Sequence, residues 1–147
     1  MRLRGTLTVL AAFVAGVLCA NPMTLKWDGG VPAAPTAVAR PFAGLLGDKL
    51  VVAGGSTFTD GVKAYSATIS VYDTKAKTWT VLDKALPRGT AEGGAWVVNT
   101  GTDIDAKPAL LCVGGVTAEG PTGDAFLLDA EGTVTDLPDF PEGVLSM

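Results

Sequence analysis

The chain has 147 residues, one domain's worth, with 11 Lys and Arg against 15 Asp and Glu and a formal net charge of −4. That acidic balance argues against nucleic acid as a partner, since such a surface needs a basic face. The sequence has no histidine, which excludes Ser-His-Asp and Cys-His catalysis as well as histidine-bound zinc or copper.

The first twenty residues read as a secretory signal. Arg2 and Arg4 form a basic head, Gly5 to Cys19 an uncharged apolar core, and Ala20 a small residue before Asn21-Pro22. The protein is therefore expected to be periplasmic or secreted, cleaved near Ala20, with no stable membrane insertion. Without that segment the balance is nine Lys and Arg against fifteen Asp and Glu, a net −6. Cys112 then remains alone inside an apolar run, where a buried hydrophobic role fits best and no intramolecular disulfide can form.

From residue 21 to 147 turn residues are dense, and short runs of Val, Leu, Ile, Thr and aromatics sit between them, which predicts an all-β fold. Strands are expected at 24–27 (TLKW), 42–46 (FAGLL), 49–54 (KLVVAG), 67–73 (ATISVYD) and 78–82 (TWTVL). Further strands are expected at 93–99 (GGAWVVN), 108–114 (PALLCVG), 124–130 (DAFLLDA) and 133–136 (TVTD).

One phrase occurs twice. "KLVVAGGSTF" at 49–58 and "ALLCVGGVTA" at 109–118 are apolar runs ending in glycine pairs, Gly54-Gly55 and Gly114-Gly115. Each pair is followed by a polar loop, a strand ending in Asp (ISVYD, AFLLD) and a Thr-rich strand. Trp27 and Trp79 stand 52 residues apart, and Leu86-Pro87 and Leu137-Pro138 stand 51 apart. A period near fifty built from four short strands and a glycine pair marks a kelch β-propeller blade. The inner strands are buried on both faces, so they read as unbroken apolar runs. The glycine pair falls where a side chain would crowd the neighbouring blade or need an unusual φ. Tyr72 and Trp79 are expected to pack between blades rather than catalyse. On this reading 42–82 and 93–136 are two complete blades, and 24–27 is the outer strand of a closing blade. Two blades leave open apolar faces, which missing blades or self-association must cover.

The segments "FAGLLGDKLVVAGGSTF", "YSATISVYDTKAKTWTVLDKALPRGTAEGGAWVV" and "LLCVGGVTAEGPTGDAFLLD" resemble the secreted kelch sugar mutarotases related to N-acetylneuraminate epimerase, in cyclically permuted form. The resemblance implies a six-bladed propeller, about two blades of it present here, that interconverts the anomers of sialic acid in the periplasm. It implies no cofactor and no metal. The family's catalytic acid and its arginine partner belong to a blade that this chain does not reach, so neither role is assigned to a residue. The alternative is a non-catalytic kelch module that binds glycan or protein partners.

In an antiparallel blade the loop between the second and third strands and the connection to the next blade emerge at one end. That end collects Arg40, Asp60, Lys63, Tyr65, Arg88, Glu92 and Glu119. Anomer exchange needs a group that moves a proton between the ring oxygen and the anomeric hydroxyl, and a sugar carboxylate favours a guanidinium. Arg40, Arg88, Glu92, Glu119 and Tyr65 are accordingly the substrate-binding candidates, with Arg40 and Arg88 the expected carboxylate partners. The signal segment gives the first test: N-terminal sequencing of the exported protein should find a start close to Asn21, and a product beginning at Met1 would refute the reading.

Overall fold

The computed structural model describes Lys26, residues 29–102 and residues 104–141. The signal segment, and the strand expected at 24–27 apart from Lys26, lie outside these. The described residues form strands and no helix. Strands β1 (Phe42–Leu46), β2 (Lys49–Ala53), β5 (Thr68–Asp73) and β6 (Thr78–Ala85) make one antiparallel sheet in the order β1-β2-β5-β6. Strands β7 (Gly94–Thr100), β8 (Lys107–Val113), β11 (Ala125–Leu128) and β12 (Val134–Leu137) make a second in the order β12-β11-β8-β7. These are two kelch blades. The loops expected after each glycine pair are themselves paired, as β3 (Ser56–Thr59) with β4 (Val62–Tyr65) and as β9 (Val116–Thr117) with β10 (Gly120–Pro121). Asp60 and Gly61 link β3 to β4 with φ of 51° and 79°. Two left-handed residues in a two-residue loop match the twist of a hairpin, and Asp-Gly supplies them readily.

The two sheets are superimposable in register. Phe42 pairs with Ala53 as Gly94 pairs with Val113, and Ala53 pairs with Ile69 as Val113 pairs with Ala125. Leu86 N–H donates to the Ala67 carbonyl and Phe140 N–H to the Gly123 carbonyl, both at 2.8 Å. Leu86-Pro87 therefore corresponds to Phe140-Pro141, 54 residues on, and not to Leu137-Pro138. The register shift opposite Thr68 to Ser70 adds one residue to β6 relative to the second blade, and the two Leu-Pro dipeptides stand at different places in their blades. Leu137 follows Asp136, the counterpart of Val81, so it answers to Leu82.

The core lies between the sheets. Phe42, Leu46, Val51, Ala53, Ile69 and Val71 of the first blade meet Leu110, Cys112, Phe126 and Leu128 of the second. Phe42 and Phe126 stack edge to face with centroids 5.6 Å apart. Burial pushes the Cys112 thiol up to about 12, which fits a packing residue rather than a nucleophile. Tyr72 and Trp79, with centroids 5.1 Å apart, pack on the opposite face of the first blade, and Trp79 Nε1 donates to the Pro32 carbonyl at 3.0 Å. Both aromatic residues pack, on each other and beside Pro32, and not at the junction of the two described blades.

Both reasons for the glycine pair hold. All four glycines have φ between 64° and 115°. A β-carbon on Gly54 would strike the Thr90 carbonyl oxygen, one on Gly55 would stand 2.7 Å from Val38 Cβ, and one on Gly115 would stand 2.6 Å from the Ala91 carbonyl. Gly61 has a similar φ of 79° with nothing near it. Gly61→Ala should therefore cost only the left-handed strain, about 1–2 kcal/mol, while Gly54→Ala should cost more than about 3 kcal/mol because backbone must also move. Urea unfolding of the two variants measures the difference; equal losses would show that contact with the next blade's connection is unimportant.

Candidate functional site

The sheets approach each other through β1 and β7, so these are the strands nearest the propeller axis. The residue two before each has an unusual backbone: Arg40 has φ 49° and Glu92 has φ 65°. The two are counterparts, because Ala39 bridges to Ser56 as Ala91 bridges to Val116. Glu92 N–H donates to the Arg40 carbonyl at 3.0 Å. Left-handed φ is rare for such residues, and here it recurs at the same place in successive blades. Below this link the Phe42 ring lies against Gly93, so the interblade core sets where Glu92 stands.

The side chains converge at the same point. Lys63, on the β3–β4 hairpin, donates to Glu92 Oε1 at 2.6 Å, and Arg40 Nη1 lies 3.4 Å from Glu92 Oε2. Lys63 Nζ also sits 5.0 Å from the Tyr65 ring centroid, a cation–π contact. Two cations against one carboxylate leave the cluster net positive. The Lys63 hydrogen bond holds the Glu92 carboxyl below the usual carboxylate range, and Glu92 raises the Lys63 ammonium. Glu92 is thus a fixed anion that orients two cations and a poor proton shuttle near neutrality.

Arg88 has different surroundings. Its Nη2 donates to Asp124 Oδ1 at 2.7 Å across the blade junction. The adjoining cavity of about 310 Å³ is lined by Leu86, Thr90, Phe126, Asp124, Asp136 and Asp139. Three carboxylates face one guanidinium there, so that cavity repels an anion. Glu119 accepts from the Thr117 hydroxyl at 2.8 Å, which lowers its pKa, and it does not join the Lys63 cluster. Arg40, Glu92 and Tyr65 are brought together; Arg88 and Glu119 stand apart. Lys63 is the member whose importance the strand pattern underrates, because only the hairpin places it over Glu92. Among the described residues no group of His, Cys, Asp and Glu could hold a metal ion.

The Kelch motif matches residues 39–84, which is the first blade with its incoming connection. The solved structure of YjhT matches with a TM-score of 0.53 and 27% sequence identity. The match covers 71% of this chain and 32% of YjhT, so this chain spans about a third of that protein. No curated protein matches the sequence. Motif and structure together agree on a partial kelch propeller.

Both shifted groups in the ion pair predict a pH response. Glu92's contribution is present above the ordinary carboxylate range and lost as pH falls through its lowered value. Lys63's is present below the ordinary lysine range and lost as pH rises through its raised value. The pair is therefore constant across neutrality. Replacing Lys63→Met should move the Glu92 titration midpoint upward, read from its carboxyl carbon by NMR; an unmoved midpoint would show that Lys63 is not the cause.

Proposed function

We propose that this chain forms part of a kelch propeller that binds a carboxylated sugar of the sialic acid type at its axial mouth, in a secreted mutarotase. The observation that carries this reading is the net positive Arg40–Glu92–Lys63 cluster, in which Arg40 and Glu92 are left-handed residues beside the innermost strands. A sugar carboxylate meets two oriented cations there, and the Tyr65 ring offers a flat face for the pyranose. The likeness to YjhT and the sequence resemblance to the permuted sugar mutarotases support it. Anomer exchange also needs a proton donor and acceptor. Glu92 is held ionised by its partners, so this chain contributes binding and orientation, and the acid–base group belongs to another part of the ring.

Saturation-transfer NMR with N-acetylneuraminate tests binding, and exchange between its anomers tests catalysis. The chain should bind the sugar without speeding exchange. Arg40→Ala and Lys63→Ala should each weaken binding about ten- to hundredfold, as loss of a charge-assisted contact worth about 1.5–3 kcal/mol implies. A neutral N-acetylated sugar lacking the carboxylate should bind no better than those variants. Equal binding of both sugars would overturn the proposal.

A second reading, a non-catalytic module for glycan or protein, is favoured by the tip of the β3–β4 hairpin. Phe58 and Val62 are 67% and 68% exposed there, beside the cluster. On that reading Phe58→Ser weakens capture of a polymeric ligand and leaves the monosaccharide unaffected.

A further inference from the structure

We infer that Gly89 is a positioning residue for the Arg40–Glu92–Lys63 cluster. Its missing side chain lets the root of the β3–β4 hairpin settle on the blade connection, and that seat carries Lys63 and Tyr65 to Glu92. The consequence for sugar binding rests on the function proposed above. A β-carbon on Gly89 would strike the Tyr65 carbonyl oxygen and stand 2.8 Å from the Tyr65 carbonyl carbon and 3.1 Å from its β-carbon. The oxygen and the carbonyl carbon are backbone, so no rotamer change relieves the clash. Carbon atoms in contact sit about 3.5–4.0 Å apart, so one of the two segments would have to retreat by about 1 Å. Gly89 has no left-handed φ. Clearance is what calls for a glycine there.

The connection is the firmer of the two segments. Leu86 N–H donates to the Ala67 carbonyl, and the Thr90 carbonyl accepts from Gly55 N–H. Ala91 and Val116 exchange two backbone bonds, and Glu92 N–H donates to the Arg40 carbonyl. The hairpin is held mainly at its root. Strands β3 and β4 pair with each other and with no other strand. At the root Ser66 N–H donates to the Gly55 carbonyl at 2.8 Å, Thr90 N–H donates to the Ser66 carbonyl at 3.2 Å, and Ser56 exchanges bonds with Ala39. Tyr65 pairs with Ser56 next to these ties, and Lys63 lies two residues further along β4 on the same face. A push at Tyr65 therefore tilts β4 about its root. Lys63 Nζ, held between Glu92 Oε1 at 2.6 Å and the Tyr65 ring centroid at 5.0 Å, moves with it. Arg40 stays on Glu92, because it belongs to the fixed side. A single methyl group on Gly89 thus separates the two cations that meet at one carboxylate.

Carboxyl-carbon NMR of Glu92 tests this in the purified chain without any sugar. Gly89→Ala should raise the Glu92 titration midpoint in the same direction as Lys63→Met, and should weaken N-acetylneuraminate binding about tenfold. Gly132→Ala is the control for general loosening: it crowds Leu82 and Lys84 at the β11–β12 turn, at the other end of the second blade. It should lower stability and leave the midpoint where it is. An unmoved midpoint in folded Gly89→Ala overturns the inference, and so does an equal shift in Gly132→Ala. A wild-type chain that binds no sugar overturns the proposed function instead, and the midpoint still decides the role of Gly89. Should Gly89→Ala fail to fold, the seat is read in the wild type, where the Gly89 α-protons should show nuclear Overhauser contacts to the Tyr65 β-protons. Their absence overturns the inference.

Discussion

The fold turns on a backbone contact that leaves no room for a side chain. At the end of β2 the Gly54 α-carbon lies under the Thr90 carbonyl, and Gly55 N–H donates to that same oxygen at 2.8 Å. Thr90 belongs to the connection that leaves one blade and enters the next, so one short link joins a blade to its successor. The same connection is pinned to the second blade at its next residue, where Gly115 packs against the Ala91 carbonyl and Ala91 and Val116 exchange backbone hydrogen bonds of 3.0 and 2.7 Å. Everything else is arranged around that pin. It fixes how far apart the sheets sit, and so which side chains fit between them.

That separation explains the distribution of large and small residues. Phe42 with Gly44 in the first blade becomes Gly94 with Trp96 in the second, so aromatic bulk moves along the strand while its place in space is kept. Polar contacts follow the same junction. Arg88 pairs with Asp124, Lys49 with Glu131 at 3.5 Å, and Lys84 with Thr133 at 3.0 Å, each reaching from the first blade to the second. These pairs are exposed and contribute little to stability.

Most of the fold was legible because its signals are local. The unbroken apolar runs gave β2 and β8, the glycine pairs gave their ends, and the repeat of fifty-odd residues gave the blades. The hairpins after the glycine pairs were less visible. Their strands are short and polar, and in the first of them the informative signal was the Asp60-Gly61 dipeptide. Leu-Pro spacing misled because the two dipeptides are not equivalent: Leu137 answers to Leu82 at the strand, while Leu86 answers to Phe140 in the connection. At the site, Arg40, Lys63, Glu92 and Tyr65 could be placed at one end from strand order alone. The contact of Lys63 with Glu92 depended on the unseen hairpin, and the separation of Arg88 from the cluster depended on Asp124, far away in sequence but adjacent across the junction.

The candidate site is a by-product of blade packing, and that determines how it can vary. Arg40 and Glu92 occupy one backbone position in successive blades, held left-handed by the link between Ala39 and Ser56 and its counterpart between Ala91 and Val116. The backbone demands the conformation and leaves the side chain free, because it points away from the core. One blade carries a cation there and the next an anion, and the two meet because the core beneath, through Phe42 against Gly93, brings the positions together. Loosening the interblade core would therefore dissolve the cluster before it unfolded either sheet. Changing the charge at position 40 or 92 would alter the chemistry of the mouth while leaving the glycine pins and the apolar junction as they are.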